Sequence, residues 1–336
     1  MEKIQVALLG LGTVGKGVYR TLQKLNKRIE EKLGVSIEVT TILVKHPEKH
    51  RNFEGNHLIT TDFQHILDNP EIKLVLEAIV GVEPAYSYLA KSIKAKKHVI
   101  TANKAMFAHH GKELLALAED YHVQVGFEAT TAGGIPIIQT IRKLLHVNQI
   151  RQVTAILNGT SNYILTEMRE KKIPFKQALY QAQQLGYAEL DPTNDIEGFD
   201  AFFKLMILSE LIFHEQPAWS NVDRIGIKDI TLRELLEQQE CGKRIKHLAS
   251  LQLIDEQIRA SIIPVSIPAT HPLYSIEGVD NGIVLETDLV GRIILAGPGA
   301  GAFPTASAML EDLAIILRSL HQSTITVSQE LINSTT

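Results

Sequence analysis

Residues 4–9 (IQVALL) form a run that is apolar apart from Gln5 and is stopped at once by glycines at 10, 12 and 15. Such a run reads as a buried strand, a tight turn and a helix over 14–32. Strand patterns recur at 37–44, 74–78, 98–101 and 123–127, with helical periodicity at 84–96 and 112–120. Strands separated by helices need right-handed crossovers, which yield a parallel sheet covered on both faces. After a connecting helix over 135–145 the alternation changes. A strand at 151–157 is followed by helices near 161–171, 174–186 and 198–214, and strand patterns return at 258–263, 283–289 and 292–296. The expectation is an α/β chain with a parallel-sheet domain and a second domain of α+β type. A last helical segment, 306–319, follows the glycine-rich GPGAGAFPT, and periodicity alone assigns it to neither domain.

The glycines add chemistry to this pattern. In GLGTVG, Gly10 makes the turn, Gly12 admits a pyrophosphate to backbone N–H groups, and Gly15 lets the helix pack on the strand. The spacing has force here because a strand precedes it and a helix follows. Leu11, Thr13 and Val14 complete the turn. An acidic residue at the end of the second strand would hold a ribose 2′-hydroxyl. The segment LVKHPEKHR instead offers Lys45 and Arg51, which favours a 2′-phosphate and so NADP(H) over NAD(H), against the alternative that both are ordinary surface cations.

Composition narrows the class. The 336 residues are 45% hydrophobic and 21% charged, enough for two medium domains, and a net charge of −4 offers no basic field for nucleic acid. No run of 18 apolar residues suggests a membrane span, and the apolar start lacks a cleavage site of the secretory kind. One cysteine, Cys241, excludes an internal disulfide and fits a reducing, cytoplasmic setting. The 13 histidines form no HExxH or Cys/His pair of the kind that holds zinc.

The segment GYAELDPTNDIEGFDAFFKLMIL (186–208) carries five carboxylates and then one cation, Lys204, inside an apolar run. Asp200 and Lys204 are spaced i, i+4 and share a helix face. An exposed ion pair would be worth a few tenths of a kcal/mol. The neighbours leave no polar face for one, so the helix reads as buried and its charges as needing partners. Asp191, Asp195 and Glu197 read as turn and cap residues, with Asp195 also a candidate to touch a substrate.

Six segments in order, GLGTVG, TANKAMFA (101–108), FEATTAGGIPII (127–138), LNGTSNYIL (157–165), GYAELDPTNDIEGFDAFFKL and GPGAGAFPTASAMLEDL (297–313), make the chain resemble the homoserine dehydrogenase family. The resemblance implies reversible, NAD(P)-dependent interconversion of L-aspartate 4-semialdehyde and L-homoserine, a step towards threonine and methionine. It implies a homodimer, a Rossmann-type domain (1–134 plus 303–324) completed by the C-terminal helix, and a substrate-binding and dimerisation domain (135–302). Lys204 and Lys104 become the catalytic candidates, with Asp200 one turn before Lys204. Glu189 would hold the amino acid, Asn158, Gly159 and Thr160 would lie near the substrate, and Thr101 and Gly301 near the cofactor. A structural Na⁺, or K⁺, would take Glu128, Thr131, Gly133 and Ile135, largely through backbone carbonyls.

The chemistry agrees with these roles. Hydride addition to an aldehyde puts negative charge on oxygen, and an ammonium can both stabilise that charge and supply the proton. Lys104 is expected on the loop after the fourth strand. Which lysine delivers the proton stays open. The opposing reading is a nucleotide-sensing module that has lost its chemistry, and the presence of Lys104, Glu189, Asp200 and Lys204 argues against it. The phosphorylating semialdehyde dehydrogenase of the same pathway needs a cysteine nucleophile, for which Cys241 lacks the surroundings. The chain departs from the family where DAARK reads DAFFK and where the glycine pair after Glu77 reads AIVG. It ends at Thr336, so the short form without the appended ACT-type regulatory domain is expected.

Overall fold

The computed structural model describes residues 2–53, 55 and 57–334. The chain divides into two compact units, residues 1–129 with 301–336, and residues 130–300. In the first lie β1 (Glu2–Leu9), α1 (Thr13–Leu33), β2 (Val35–Leu43), β3 (Leu58–Thr60), α2 (Gln64–Leu67), β4 (Ile72–Glu77), α3 (Ala85–Lys94), β5 (His98–Thr101), α4 (Lys104–Asp120) and β6 (Val125–Gly126). The second holds α5 (Ile137–Leu144), β7 (Ile150–Ile156), α6 (Gly159–Lys171), α7 (Phe175–Gln184), α8 (Thr193–Ile196), α9 (Phe199–Phe213), β8 (Asp223–Arg224), α10 (Leu232–Glu240), β9 (Lys243–Ile254), β10 (Gln257–Pro268), β11 (Asp280–Thr287) and β12 (Arg292–Pro298). Then α11 (Ala302–Ser334) returns to the first unit.

The first unit is a parallel six-stranded sheet in the order β3-β2-β1-β4-β5-β6, the doubly wound, Rossmann-like arrangement in which ligands bind beyond the carboxyl ends of the strands where the order reverses. Its strands are apolar on both faces, as Val6, Ala7, Leu8 and Leu9 are all fully buried. One face is closed by α1 and α11 together. Ala306, Met309, Leu310, Leu313, Ile316 and Leu317 of α11 share a core with Val18, Tyr19 and Leu22 of α1 and with Val6 and Leu8. The C-terminal helix, which periodicity could not place, therefore belongs to this unit.

The second unit is a mixed sheet in the order β12-β11-β7-β9-β10-β8, antiparallel except where β10 meets β8. The sequence pattern missed β9, β3 and α10, and it began α4 eight residues late. The cap explains the last of these: Asn103 accepts the Met106 N–H at 3.0 Å and starts the helix at Lys104, so Lys104 lies on the first turn of α4 and not on a loop.

A charge cluster ties α6 to β9. Glu277 receives both terminal nitrogens of Arg169 (3.1 and 2.9 Å), Arg244 (2.8 Å) and Lys246 (2.8 Å), and Lys246 is 1% exposed. Burial alone would raise the Glu277 carboxyl, but hydrogen bonds from Arg169 and the charge of Lys246 hold it at about 2. Removing the carboxylate strands buried cations, so Glu277→Ala should lower the unfolding free energy by roughly 3–5 kcal/mol in urea titrations. Because the folded carboxyl lies below its ordinary 4.5, that stabilisation is complete above pH 4.5 and fades as pH falls towards 2, and the gap between wild type and variant should close over that window.

Candidate active site

The glycine turn joins β1 to α1. Gly10 has φ +93° and a Cβ there would sit 2.7 Å from the Ala78 carbonyl, while a Cβ on Gly15 would strike the Gly10 carbonyl at 2.1 Å. Both glycines are thus required by packing within the protein. Gly12 differs: a Cβ there would meet nothing within 4 Å, so the space beside it is open. Gly12 is the N-cap of α1 with no side-chain cap, which leaves the first N–H groups of the helix without a side-chain acceptor. Leu11 is buried, and Thr13 and Val14 open the helix. Such a helix start suits a pyrophosphate in charge and geometry, so these residues fit a dinucleotide. Lys45 and Arg51 are both exposed after β2, Thr101 is fully buried at the end of β5, and Gly301 begins the run into α11 with φ +112°.

In the second unit the residues around Lys204 form one buried network. Lys204 is 6% exposed, and its Nζ donates to Asp200 Oδ2 and to the Leu157 carbonyl, both at 2.7 Å. Asn158 caps α6 by accepting the Ser161 N–H at 2.7 Å, and its Nδ2 donates to Asp200 Oδ2 at 2.9 Å and to Asp195 Oδ1 at 2.7 Å. The ten buried positions of α9 include both Asp200 and Lys204, as the apolar run around them requires. An ammonium in that setting is held by its carboxylate and a carbonyl rather than by water. Thr160 donates its hydroxyl to the Tyr187 carbonyl at 2.7 Å, and a Cβ on Gly159 would meet the Val279 carbonyl at 2.4 Å.

The other expected residues are placed less centrally. Glu189 is exposed, and its carboxylate accepts no hydrogen bond among the described residues. Asp191 accepts both the N–H and the hydroxyl of Thr193, which hold its carboxyl below the usual range, in keeping with a turn residue. Glu197 binds Lys228 at 2.7 Å. Asp195 is joined to the Lys204 network through Asn158. Glu128 is buried with its N–H on Asp312 Oδ2 at 2.8 Å; Thr131, Gly133 and Ile135 are buried in the second unit, where Ile135 O accepts the Ile137 N–H. Among the described residues no helix is long and apolar enough to cross a membrane.

Two members of the network were not anticipated. Leu157 contributes only a carbonyl, which no side-chain pattern reveals. Asn281, 1% exposed, donates Nδ2 to that same carbonyl at 3.0 Å, while its Oδ1 is buried without a partner among the described residues. In the sequence Asn281 sits in VDNG, which reads as a turn.

Family comparison agrees with this geometry. Residues 10–128 match the homoserine dehydrogenase NAD-binding domain and residues 136–314 match the homoserine dehydrogenase family proper. The chain is 37% identical over 321 residues to homoserine dehydrogenase of Bacillus subtilis, covering 95% of this chain and 74% of that protein. A homoserine dehydrogenase structure from Thiobacillus denitrificans is 40% identical with a TM-score of 0.90, covering 96% of this chain and 75% of that one. A hyperthermophilic archaeal homoserine dehydrogenase in complex with NADPH is 26% identical with a TM-score of 0.78, covering 93% and 96%. This chain belongs to the homoserine dehydrogenase family and is an NAD(P)-dependent oxidoreductase acting on a CH–OH group.

Proposed function

We propose that Lys204 is the acid–base group of the interconversion of L-aspartate 4-semialdehyde and L-homoserine, and that NADPH is the preferred reductant. The observation that carries this is the buried ammonium of Lys204, aimed by Asp200 and the Leu157 carbonyl at 2.7 Å each. The cofactor, when bound, supplies or accepts the hydride. As charge develops on the substrate oxygen, Lys204 donates a proton to it, and in the reverse direction Lys204 takes that proton back. Asp200 keeps the side chain in one rotamer and balances its charge, and Asn158 orients Asp200 in turn. Lys104, on the first turn of α4, is the second cation serving that oxygen.

Glu189, exposed and without an internal partner for its carboxylate among the described residues, is suited to the substrate's α-ammonium. The segment Asn158 to Thr160, with Asp195 beside it, is the place for the substrate's other polar groups. In this reading residues 1–134 with 303–324 hold the cofactor, and residues 135–302 hold the substrate and build a homodimer. Lys45 and Arg51 receive the 2′-phosphate, a preference supported by the absence of an acid at the end of β2 and by the archaeal relative in complex with NADPH. A monovalent cation, Na⁺ or K⁺, at the oxygens of Glu128, Thr131, Gly133 and Ile135, and a cytoplasmic setting, complete the proposal.

Lys204→Ala should lower kcat by about 10³-fold in an NADPH absorbance assay with aspartate semialdehyde, while NADPH still binds by fluorescence titration. A rate within about tenfold of wild type would remove Lys204 from the chemistry. Separately, Lys45→Ala and Arg51→Ala should each reduce kcat/KM for NADPH by about tenfold and leave the NADH value unchanged, as expected for one lost charge-assisted bond. Equal losses with both cofactors would refute the phosphate contact.

A further inference from the structure

Strand β4 ends on a carboxylate that the chemistry above does not use. Glu77 is fully enclosed, in register with Leu9 of β1 and Thr101 of β5 at the carboxyl edge of the sheet. Its Oε1 accepts the Ile79 N–H and its Oε2 accepts the Thr101 hydroxyl, each at 2.5 Å. The Thr101 oxygen in turn accepts the Asn103 N–H at 3.0 Å. Asn103 then spreads its amide. Its Oδ1 caps α4 through the Met106 N–H, and its Nδ2 donates to the carbonyls of Ile79 (3.0 Å) and Gly81 (2.6 Å). The loop 78–81 and the segment 101–104 are therefore one hydrogen-bonded piece rooted on Glu77. Lys104 is the first residue of the helix so capped. The same loop supports the glycine turn, since the Ala78 carbonyl lies 2.7 Å from where a Gly10 Cβ would be.

We propose that Glu77 is a positioning residue for the reaction, holding the start of α4, through Thr101 and Asn103, in the register from which Lys104 acts. The inference rests on the assignment of Lys104 made above. Stability alone does not account for an acid at this place. Full burial pushes the Glu77 carboxyl up to about 7 even though Thr101, the Ile79 N–H and Asn103 pull it down, so the charged form is held at a cost. A glutamine would fill the same volume and accept the Ile79 N–H without that cost. It could not accept the Thr101 hydroxyl, because its NH₂ would face Thr101 and donate. The Thr101 oxygen would then accept from the glutamine and from the Asn103 N–H at once with its own hydrogen turned away, so the bond to Asn103 would lose the carboxylate that polarises and aims it.

A double-mutant cycle on the full chain separates the possibilities. Glu77→Gln should melt at or above the wild-type temperature yet lower kcat by about 10- to 100-fold with little change in substrate KM. Lys104→Ala should be slower still, and the double variant should match Lys104→Ala within about threefold, because Glu77 acts through Lys104. Losses that multiply in the double variant, or a wild-type kcat for Glu77→Gln, would overturn the role of Glu77 alone. A wild-type rate for Lys104→Ala would instead remove Lys104 from the site and this inference with it. If Glu77→Gln does not fold, Thr101→Val cuts the same link from the neighbouring strand and is read in the same cycle.

Discussion

An ammonium ion kept out of water is the constraint around which the second unit is organised. Lys204 lies on a helix whose other buried positions are almost all apolar, and a lone charge there would cost several kcal/mol. Two acceptors offset that cost, and they come from different elements: Asp200 one turn earlier on α9, and the carbonyl of Leu157 just after β7. Asn158 adds a third constraint, since one side chain both caps α6 and steadies Asp200. The end of a strand, the start of one helix and the middle of another are thereby set by a single charge. Geometry of this kind is what acid–base chemistry needs, because proton transfer depends on a donor held at hydrogen-bond distance in advance.

The first unit solves a different problem by similar means. Its parallel strands are buried on both faces, so specificity is confined to their carboxyl ends. There the backbone supplies most of the polar groups, through the open Gly12 and the uncapped first turn of α1. Polar side chains at this edge, Glu77, Thr101 and Asn103, bond mainly to loops and to one another. They shape the rim of the sheet.

Much of this could be read from residue order, and the misses have physical causes. Lys204 was conspicuous because a cation in an apolar run has no bland explanation, and Gly10, Gly12 and Gly15 were conspicuous because their context was right. β9 was hidden for the same reason that Lys204 was visible. Its segment KRIKHLASLQLI carries Lys246 and His247 on buried positions, which breaks the alternation, and the partner that makes burial of Lys246 possible is Glu277, 31 residues further on. β3 is only three residues long, below what periodicity can detect. α10 was missed although its start carries a signal, since Thr231 and Glu234 form a capping box whose spacing marks a helix start. Leu157 and Asn281 could not have been found, since one acts through its backbone and the other resembles a turn.

The discontinuity of the first unit has a consequence for biosynthesis. Its parallel sheet is complete once residue 126 has left the ribosome, but Val18, Leu22 and their neighbours wait for side chains between 306 and 317 to cover them. A whole mixed-sheet unit is translated in the interval. At ordinary elongation speeds of about 5–20 residues per second that delay lasts on the order of ten seconds or more, during which a greasy face is open to chaperones or to a neighbouring nascent chain. The order of translation thus makes the last helix the step that ends the period of greatest aggregation risk.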